Sequence, residues 1–266
     1  MEISVIIPTY NRAHIIEKSI KSVQRQTYPV SEIIVVDDAS VDSTEQVVRG
    51  LDDGRIRYVR QEPNKGNAAA RNLGVSCAKY DLIAFHDSDD EWREEKIEKQ
   101  IAYKNAHEDC RFIYTAFVRH FSNGDQIIPD MGGDQILEGE MLPELLFINT
   151  IGAPTVLMEK EFFNNIGGFD EKLRNLVDWD LAIRASKEGR IGFVSEILVD
   201  VEYSPNSVTN DRSEYYRSRC YMLRKYRDDY LATDTFNKTV ESILTMAYED
   251  GMLESVKGML LRAISS

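Results

Sequence analysis

Residues 3–12 read Ile-Ser-Val-Ile-Ile-Pro-Thr-Tyr-Asn-Arg. Through Ile7 they are apolar and β-branched apart from Ser4, as a strand buried on both faces requires, and Pro8 is expected to end it. Helical spacing follows, with Ile15, Ile16, Ile20 and Val23 on one face up to Gln26. Residues 32–36 (EIIVV) repeat the buried-strand pattern and stop at Asp37-Asp38. Ser43 to Arg49 reads as a helix with Asp42 or Ser40 as its cap. Residues 55–60 alternate as a third strand, and residues 64–78 form an Ala-rich helix with Gly74 inside it. Residues 81–86 (DLIAFH) make a fourth strand and run into Asp87-Ser88-Asp89-Asp90. Strands alternating with helices in this way specify βαβ units: a mostly parallel central sheet with helices on both faces.

The second half follows another pattern. Glu94 to His107 is a charged amphipathic helix. Residues 111–121 form a longer strand, Ser122-Asn123-Gly124-Asp125 signals a turn, and residues 126–128 return as a hairpin. Residues 131–134 (MGGD) punctuate a loop. Residues 140–148 give a short helix, residues 154–158 a strand, and Glu161 to Ile166 a helical turn closed by Gly167-Gly168. Asp178 to Lys187 is helical, residues 191–203 hold one or two strands, and the chain is helical from Arg212 onward. No repeat, low-complexity tract or flexible linker interrupts it. The expected division is a catalytic α/β unit over 1–210, in halves 1–110 and 111–210, followed by a helical extension over 211–266.

Length and composition narrow the function. A chain of 266 residues can bury a core without disulfides or structural metal. Its 32 basic and 45 acidic residues leave a net charge of −13, which argues against a nucleic-acid partner. Cys77, Cys110 and Cys220 show no metal-ligand spacing and read as buried thiols of a reducing compartment. No signal-peptide pattern and no run of ~18 apolar residues is present, so a cytoplasmic location is expected, if need be peripheral to a membrane.

Five features carry chemistry. Asp87-Ser88-Asp89-Asp90 stands at the carboxyl end of a strand, the edge where open parallel sheets bind ligands. Two carboxylates two apart on an extended exit share one side. Hard oxygen donors so placed suit Mg²⁺ or Mn²⁺, which complete their shells with water and substrate phosphates. A solvated acidic loop capping the next helix is the plainer reading. Asp37-Asp38 stands at another strand exit, where a carboxylate accepts from a nucleobase or ribose, or simply caps a helix. Pro8-Thr9-Tyr10-Asn11-Arg12 carries neither glycine-rich phosphate-binding signature; Tyr10 offers a stacking surface and Arg12 a phosphate contact. Lys65 and Arg71 lie near a helix start and suit phosphates, although surface cations are commoner there. Asp178-Trp179-Asp180 offers a general base beside an aromatic platform for an acceptor sugar, or a helix cap.

Taken in order, SVIIPTYNR, IIVVDDASVDST, NKGNAAARNLG, LIAFHDSDDEW, GGFDE and VDWDLAIR resemble the family 2 inverting glycosyltransferases of the GT-A fold. They span Ser4 to Arg184. The resemblance implies a nucleotide-sugar donor, usually UDP- or GDP-linked, with Mn²⁺ or Mg²⁺ as cofactor. It places Pro8 and Tyr10 beside the nucleobase, Asp38 in a hydrogen bond to it, Arg71 near the nucleotide, Asp87 with Ser88 at the ribose, Asp89 on the metal, and Asp178 at the base position. Val177 stands where the family more often has Glu. The metal- or diphosphate-assisting His of many relatives is missing from the matching stretch at residues 203–207. The implied acceptor is a saccharide or lipid-linked saccharide in polysaccharide or glycoconjugate synthesis.

Two other classes compete. A metal-dependent phosphoryl or nucleotidyl transferase also uses acidic strand ends, but Glu91 follows the acidic pair and the first loop lacks glycines. A non-catalytic nucleotide-sugar-binding module would not need Asp178. In the C-terminal extension, Tyr215, Tyr216, Tyr221 and Tyr226 read as helix packing. Arg217, Arg219, Arg224, Lys225 and Arg227 form a local basic run that would suit contact with an anionic membrane or a lipid-linked acceptor.

Overall fold

Strand β1 (Ile3–Thr9) is buried along its whole length. In the computed structural model, which describes residues 1–121, 124–132, 135–202 and 211–265, β1 pairs in parallel with β2 (Glu32–Asp37) and β4 (Leu82–Phe85). β3 (Ile56–Arg60) extends this parallel set beyond β2. Pro8 does not end β1 but sits inside it, opposite Val36. The backbone geometry explains why. The Ile6 carbonyl accepts from His86 N–H on the β4 side, and the Thr9 carbonyl accepts from Asp38 N–H on the β2 side. Pro8 therefore faces β4, where the ladder has already stopped at Ile6–Phe85. Its missing N–H leaves no ladder partner unpaired.

Helices α1 (Ile16–Gln24), α2 (Thr44–Arg49) and α3 (Asn67–Cys77) make the crossovers. Ile16, Ile20 and Val23 are the buried apolar face of α1. Helix α3 lies on β1 so closely that a Cβ on Gly74 would collide with the Ile6 side chain.

The second half supplies β5 (Glu91–Trp92), α4 (Lys96–Ala106), β6 (Phe112–Phe121), β7 (Gly124–Ile128), α5 (Leu142–Phe147), β8 (Leu157–Glu159), α6 (Lys160–Asn165), α7 (Val177–Glu188) and β9 (Ile191–Glu202). The sheet order is β3-β2-β1-β4-β8-β6-β9-β5, with β7 on β6. The central sheet with helices on both faces is thus of the GT-A type, and its fully parallel part is the β3-β2-β1-β4 half. β8 runs antiparallel to both β4 and β6. β6 and β9 consequently run the same way as β1, and their carboxyl ends reach the same sheet edge. Pro154 belongs to a 3₁₀ turn (Ala153–Thr155) rather than to β8. β5 pairs Glu91 and Trp92 with Asp200 and Val199 and is too short to show a period in sequence.

Helices α8 (Arg212–Lys225), α9 (Arg227–Ala232), α10 (Phe236–Glu249) and α11 (Leu253–Ser265) close the chain. They share one core with the sheet: Tyr216, Met222, Leu223, Tyr226 and Tyr230 belong to the same apolar cluster as Ile6, Phe85, Ala182 and Ile183. The Ser122-Asn123 turn, the Gly133-Asp134 loop and residues 203–207 lie outside the described residues.

Candidate active site

The loops leaving β1 and β2 brace each other. Asn11 takes a left-handed backbone (φ 53°). Its N–H donates to Ser40 Oγ at 2.8 Å, and Val41 N–H donates to its Oδ1 at 2.8 Å. Tyr10 stands 48% exposed beside this brace, so one ring face is available for stacking. Asp37 is fully buried and structural, accepting from Ser40 N–H and from the Tyr58 hydroxyl. Asp38 is also buried. Its Oδ1 accepts from Gln61 Nε2 (2.7 Å) and Lys65 N–H (2.8 Å), and its Oδ2 from Gly66 N–H (2.7 Å). Asp38 thus shapes the loop ahead of α3 and caps no helix; Oδ2 keeps one lone-pair site for a ligand donor. The Lys65 side chain is exposed. Asp42, one of the two expected caps of α2, accepts from Thr44 N–H at 3.0 Å.

Residues 87–90 form a turn, not an extended exit, since Asp90 N–H donates to the Asp87 carbonyl. The turn is fastened to α1 by the Ser19 hydroxyl, 2.8 Å from the Asp87 carbonyl. Asp87 and Asp89 therefore meet different cations. Asp87 Oδ1 accepts from Arg71 Nη2, and Asp89 Oδ2 lies 3.1 Å from Arg12 Nη2. Ser88 is buried between them. Burial, then the neighbouring Asp87 charge, holds the Asp89 carboxyl above its usual range. Asp90, fully buried, is pushed well up by burial and by Asp87 and Asp89.

Arg71 is only 4% exposed. Its guanidinium carbon lies 5.4 Å from the Phe169 ring centroid. Nε and Nη1 are buried with no hydrogen-bond partner. A buried donor left unpaired costs ~1–3 kcal/mol, so these two nitrogens call for acceptor atoms.

Asp178 arrives from the other half of the chain. Gly168 is held at φ +65°, where a Cβ would lie 2.9 Å from Asn72 Oδ1. Asn72 in turn accepts from Phe169 N–H at 2.9 Å and donates to the Phe169 carbonyl at 3.0 Å. Leu176, at φ 60°, turns the chain into α7, and Asp178 is the second helical residue. Its Oδ1 accepts from Trp179 N–H at 2.8 Å, and it caps no helix. Burial raises its pKa; that N–H and the Arg71 charge partly oppose the rise.

Asn67, Arg71, Asp87, Arg174, Asn175 and Asp178 line one cleft of about 100 Å³. Of the sequence-derived candidates, Arg71, Asp87 and Asp178 meet there. Pro8, Tyr10, Arg12, Asp38, Lys65, Ser88 and Asp89 occupy the same sheet edge without lining it. Arg174 and Asn175 escaped sequence reading because they sit in a loop with no pattern; their place between GGFDE and VDWD is the one signal that marks them.

Trp179 is a correction. It is 4% exposed, donates its indole N–H to the Leu145 carbonyl and stacks under the Arg219 guanidinium at 4.2 Å. It is part of the core and cannot form a sugar platform. The C-terminal basic run is partly engaged within the chain. Arg219 is buried, Lys225 bonds Asp170 and Asp180, Arg217 pairs with Glu214, and Arg227 donates to the Ile264 carbonyl. Arg217, Arg224, Lys225 and Arg227 remain exposed at the surface. Among the described residues, no helix is long and apolar enough to cross a membrane.

Among the described residues, no three His, Cys, Asp or Glu side chains converge as a complete metal cage. Mg²⁺ and Mn²⁺ do not need one, since a carboxylate or two with water and substrate phosphate suffices. Asp89 offers such a carboxylate: it stands at the sheet edge two residues from Asp87, where Arg12 is the cation paired with it at 3.1 Å.

The family model described as "Glycosyl transferase family 2" matches residues 4–158. A Bacillus subtilis protein named as a putative teichuronic acid biosynthesis glycosyltransferase, TuaG, is 29% identical over 227 residues, covering 84% of this chain and 87% of that protein. Escherichia coli WfgD, named as a UDP-Glc:α-D-GlcNAc-diphosphoundecaprenol β-1,3-glucosyltransferase, is 30% identical over 234 residues, covering 86% and 88%. The crystal structure of Staphylococcus aureus TarS residues 1–349 superposes with a TM-score of 0.75 at 20% identity, over 99% of this chain and 81% of that one. The chain also matches longer Rickettsia glycosyltransferases, of which it spans about a third.

Proposed function

The chain belongs to glycosyl transferase family 2, and from that membership we propose that it transfers a sugar from a UDP-sugar to an acceptor hydroxyl with inversion, with Asp178 as general base and Asp89 as the Mg²⁺ or Mn²⁺ ligand. One observation carries the reading. Arg71, Asp87 and Asp178 converge on a single cleft, and two buried nitrogens of the Arg71 guanidinium lack any partner.

Each residue then has a task. The unpaired Arg71 N–H groups take oxygens of the donor. Asp87, neutralised by Arg71, accepts from the ribose, with Ser88 beneath it. Tyr10 and Pro8 border the base, and Arg12, released from Asp89, reaches phosphate. A divalent ion, when bound, supplies charge neutralisation on the diphosphate leaving group. The acceptor oxygen attacks the anomeric carbon and its proton passes to Asp178. The anomeric carbon–oxygen bond breaks and its electron pair leaves on the diphosphate. The carbon gains the acceptor from the face opposite the leaving group, so its configuration inverts. Burial, by raising the Asp178 pKa, makes it a stronger base than an exposed aspartate.

The names of TuaG and WfgD support a saccharide or lipid-linked saccharide acceptor in cell-surface polysaccharide synthesis. The test is UDP release from UDP-glucose, UDP-N-acetylglucosamine and UDP-galactose, with and without Mn²⁺, against a short-chain lipid diphosphate carrying N-acetylglucosamine. Asp178→Asn should lower transfer ~10²–10⁴-fold while UDP affinity stays within about twofold of wild type. Undiminished transfer by that variant would remove Asp178 from the base position.

A further inference from the structure

The C-terminal helices have no assigned task, and the family match ends well before them. Their contacts fall on the segment that carries Asp178. Lys225, the last residue of α8, places its ammonium 2.7 Å from Asp170 Oδ2 and 2.6 Å from Asp180 Oδ1. Asp170 follows Gly167-Gly168-Phe169 at the start of the cleft wall. Asp180 lies in the first turn of α7, two residues beyond Asp178. A single cation therefore ties together both ends of the segment 170–180, which carries Arg174, Asn175, Leu176 and Asp178.

Neighbouring groups complete the tie. The Tyr221 hydroxyl donates to Asp170 Oδ2 at 2.9 Å and the Tyr226 hydroxyl to Asp180 Oδ1 at 2.7 Å. Asp180 is fully buried, and Arg184 occupies its other oxygen through Nε at 2.9 Å and Nη2 at 2.8 Å. Four donors thus reach one carboxylate, which fills its lone-pair sites and fixes its direction. A junction joining the two ends of one loop restricts the path between them.

We infer that Lys225, assisted by Tyr221 and Tyr226, is a positioning residue: it pins the 170–180 segment so that Asp178 meets the acceptor hydroxyl in register. The inference rests on the reading of Asp178 as base. It makes the C-terminal helices part of the catalytic unit. Misplacing a reacting group by about 1 Å costs on the order of 100-fold in rate.

The experiment compares Lys225→Met, Lys225→Arg and Asp178→Asn in the full chain. Hydrogen exchange is read with UDP and Mn²⁺ alone, and kinetics with the donor–acceptor pair giving fastest UDP release in the screen above. Lys225→Met should speed amide exchange across 172–179 by at least about tenfold while leaving α3 unchanged. It should lower kcat about 10–100-fold with donor KM within about twofold. Lys225→Arg keeps the charge and should recover most of the loss. Unchanged exchange across 172–179, or a fall in kcat that Lys225→Arg does not relieve, overturns the positioning role. If Lys225→Met unfolds, Tyr221→Phe with Tyr226→Phe removes two of the ties and should give the same exchange pattern more weakly; no change there also overturns the role. A fully active Asp178→Asn would refute the base assignment, whereas an inactive Asp178→Asn beside a fully active Lys225→Met would refute the positioning role alone.

Discussion

Replacing Arg71 by Met separates a residue held for ligand from one held for the fold. Met keeps the length of the side chain and removes the guanidinium. In the unliganded protein three terms compete. The ion pair with Asp87 is lost; with Arg71 5% and Asp87 30% exposed the pair is only partly screened, and its loss costs about 1.5–3 kcal/mol. The contact over Phe169 contributes a further ~0.5–2 kcal/mol. Against these, two buried N–H groups without partners disappear, each relieving ~1–3 kcal/mol. The balance lies near zero or slightly on the stabilising side. Melting should therefore stay within a few degrees of wild type, at ~2–4 °C per kcal/mol for a chain of this size. Donor binding behaves differently. If both N–H groups bond the donor, Arg71→Met loses two charge-assisted hydrogen bonds at ~1.5–3 kcal/mol each. A loss of about 3 kcal/mol weakens Kd on the order of 100-fold. Lys at the same position can still neutralise Asp87 but cannot present the fork, so Arg71→Lys should recover little affinity. Calorimetric titration of UDP-glucose and UDP with Mn²⁺, alongside thermal melting, reads both quantities. Wild-type affinity in Arg71→Met, or a melting temperature many degrees lower, would refute the reasoning.

Other outcomes follow from the same geometry. Asp89→Asn should abolish the Mn²⁺-dependent part of UDP affinity and leave the metal-free part unchanged; calorimetry with and without the ion decides. The acid limb of kcat against pH should lie above the ordinary aspartate value of 3.8, because burial raises the Asp178 pKa and the base must be deprotonated to act. Activity is then lost as pH falls through that raised value, and a limb at 3.8 or below would contradict the assignment. Lys96 is buried, with its ammonium 2.8 Å from Gln100 Oε1 and 4.0 Å from the Trp92 ring, and burial drives its pKa well down. The unfolded chain holds this proton up to about pH 10.4 while the folded chain releases it earlier, so stability declines as pH falls below that value. Lys96→Met should raise the melting temperature at neutral pH and flatten its rise toward pH 10; an unaltered slope in melts across that range would count against it. Gly74→Ala should destabilise by ~1–3 kcal/mol in a urea melt, since its Cβ meets Ile6 and Val36; an unshifted midpoint would contradict the close approach of α3 to β1.

Three strands of the first half were legible because each is buried on both faces, so Val5–Ile7, Ile33–Val36 and Leu82–Phe85 appear as unbroken apolar runs. Their polar exits were legible for the complementary reason: Asp38 and Asp87 come where the apolar run stops. Pro8 misled because a missing N–H looks like a strand end until the neighbour on that side is known. Trp179 misled because adjacency to Asp178 says nothing about direction. Residues next to each other on a helix point about 100° apart, and here one faces the cleft while the other enters the core. The basic run in α8 and α9 likewise appeared as one patch in one dimension, while in three Lys225 turns to Asp170 and Asp180 and Arg219 is buried over Trp179.

By itself the sequence determined the alternation of strands and helices, the sheet edge at which the polar strand exits gather, the family to which the order of motifs belongs, and the two acidic residues that line the cleft. These depend on local period and on residue type at strand exits, both written in consecutive residues. Only the tertiary structure decided that β8 enters antiparallel and turns β6 and β9 toward the same edge. It alone showed that Arg71 and Asp178 line one cleft, and that Lys225 reaches back to Asp170 and Asp180 on either side of Asp178. Those facts are distances between residues tens to more than a hundred positions apart. They are set by how helices and sheet pack, which no local period records.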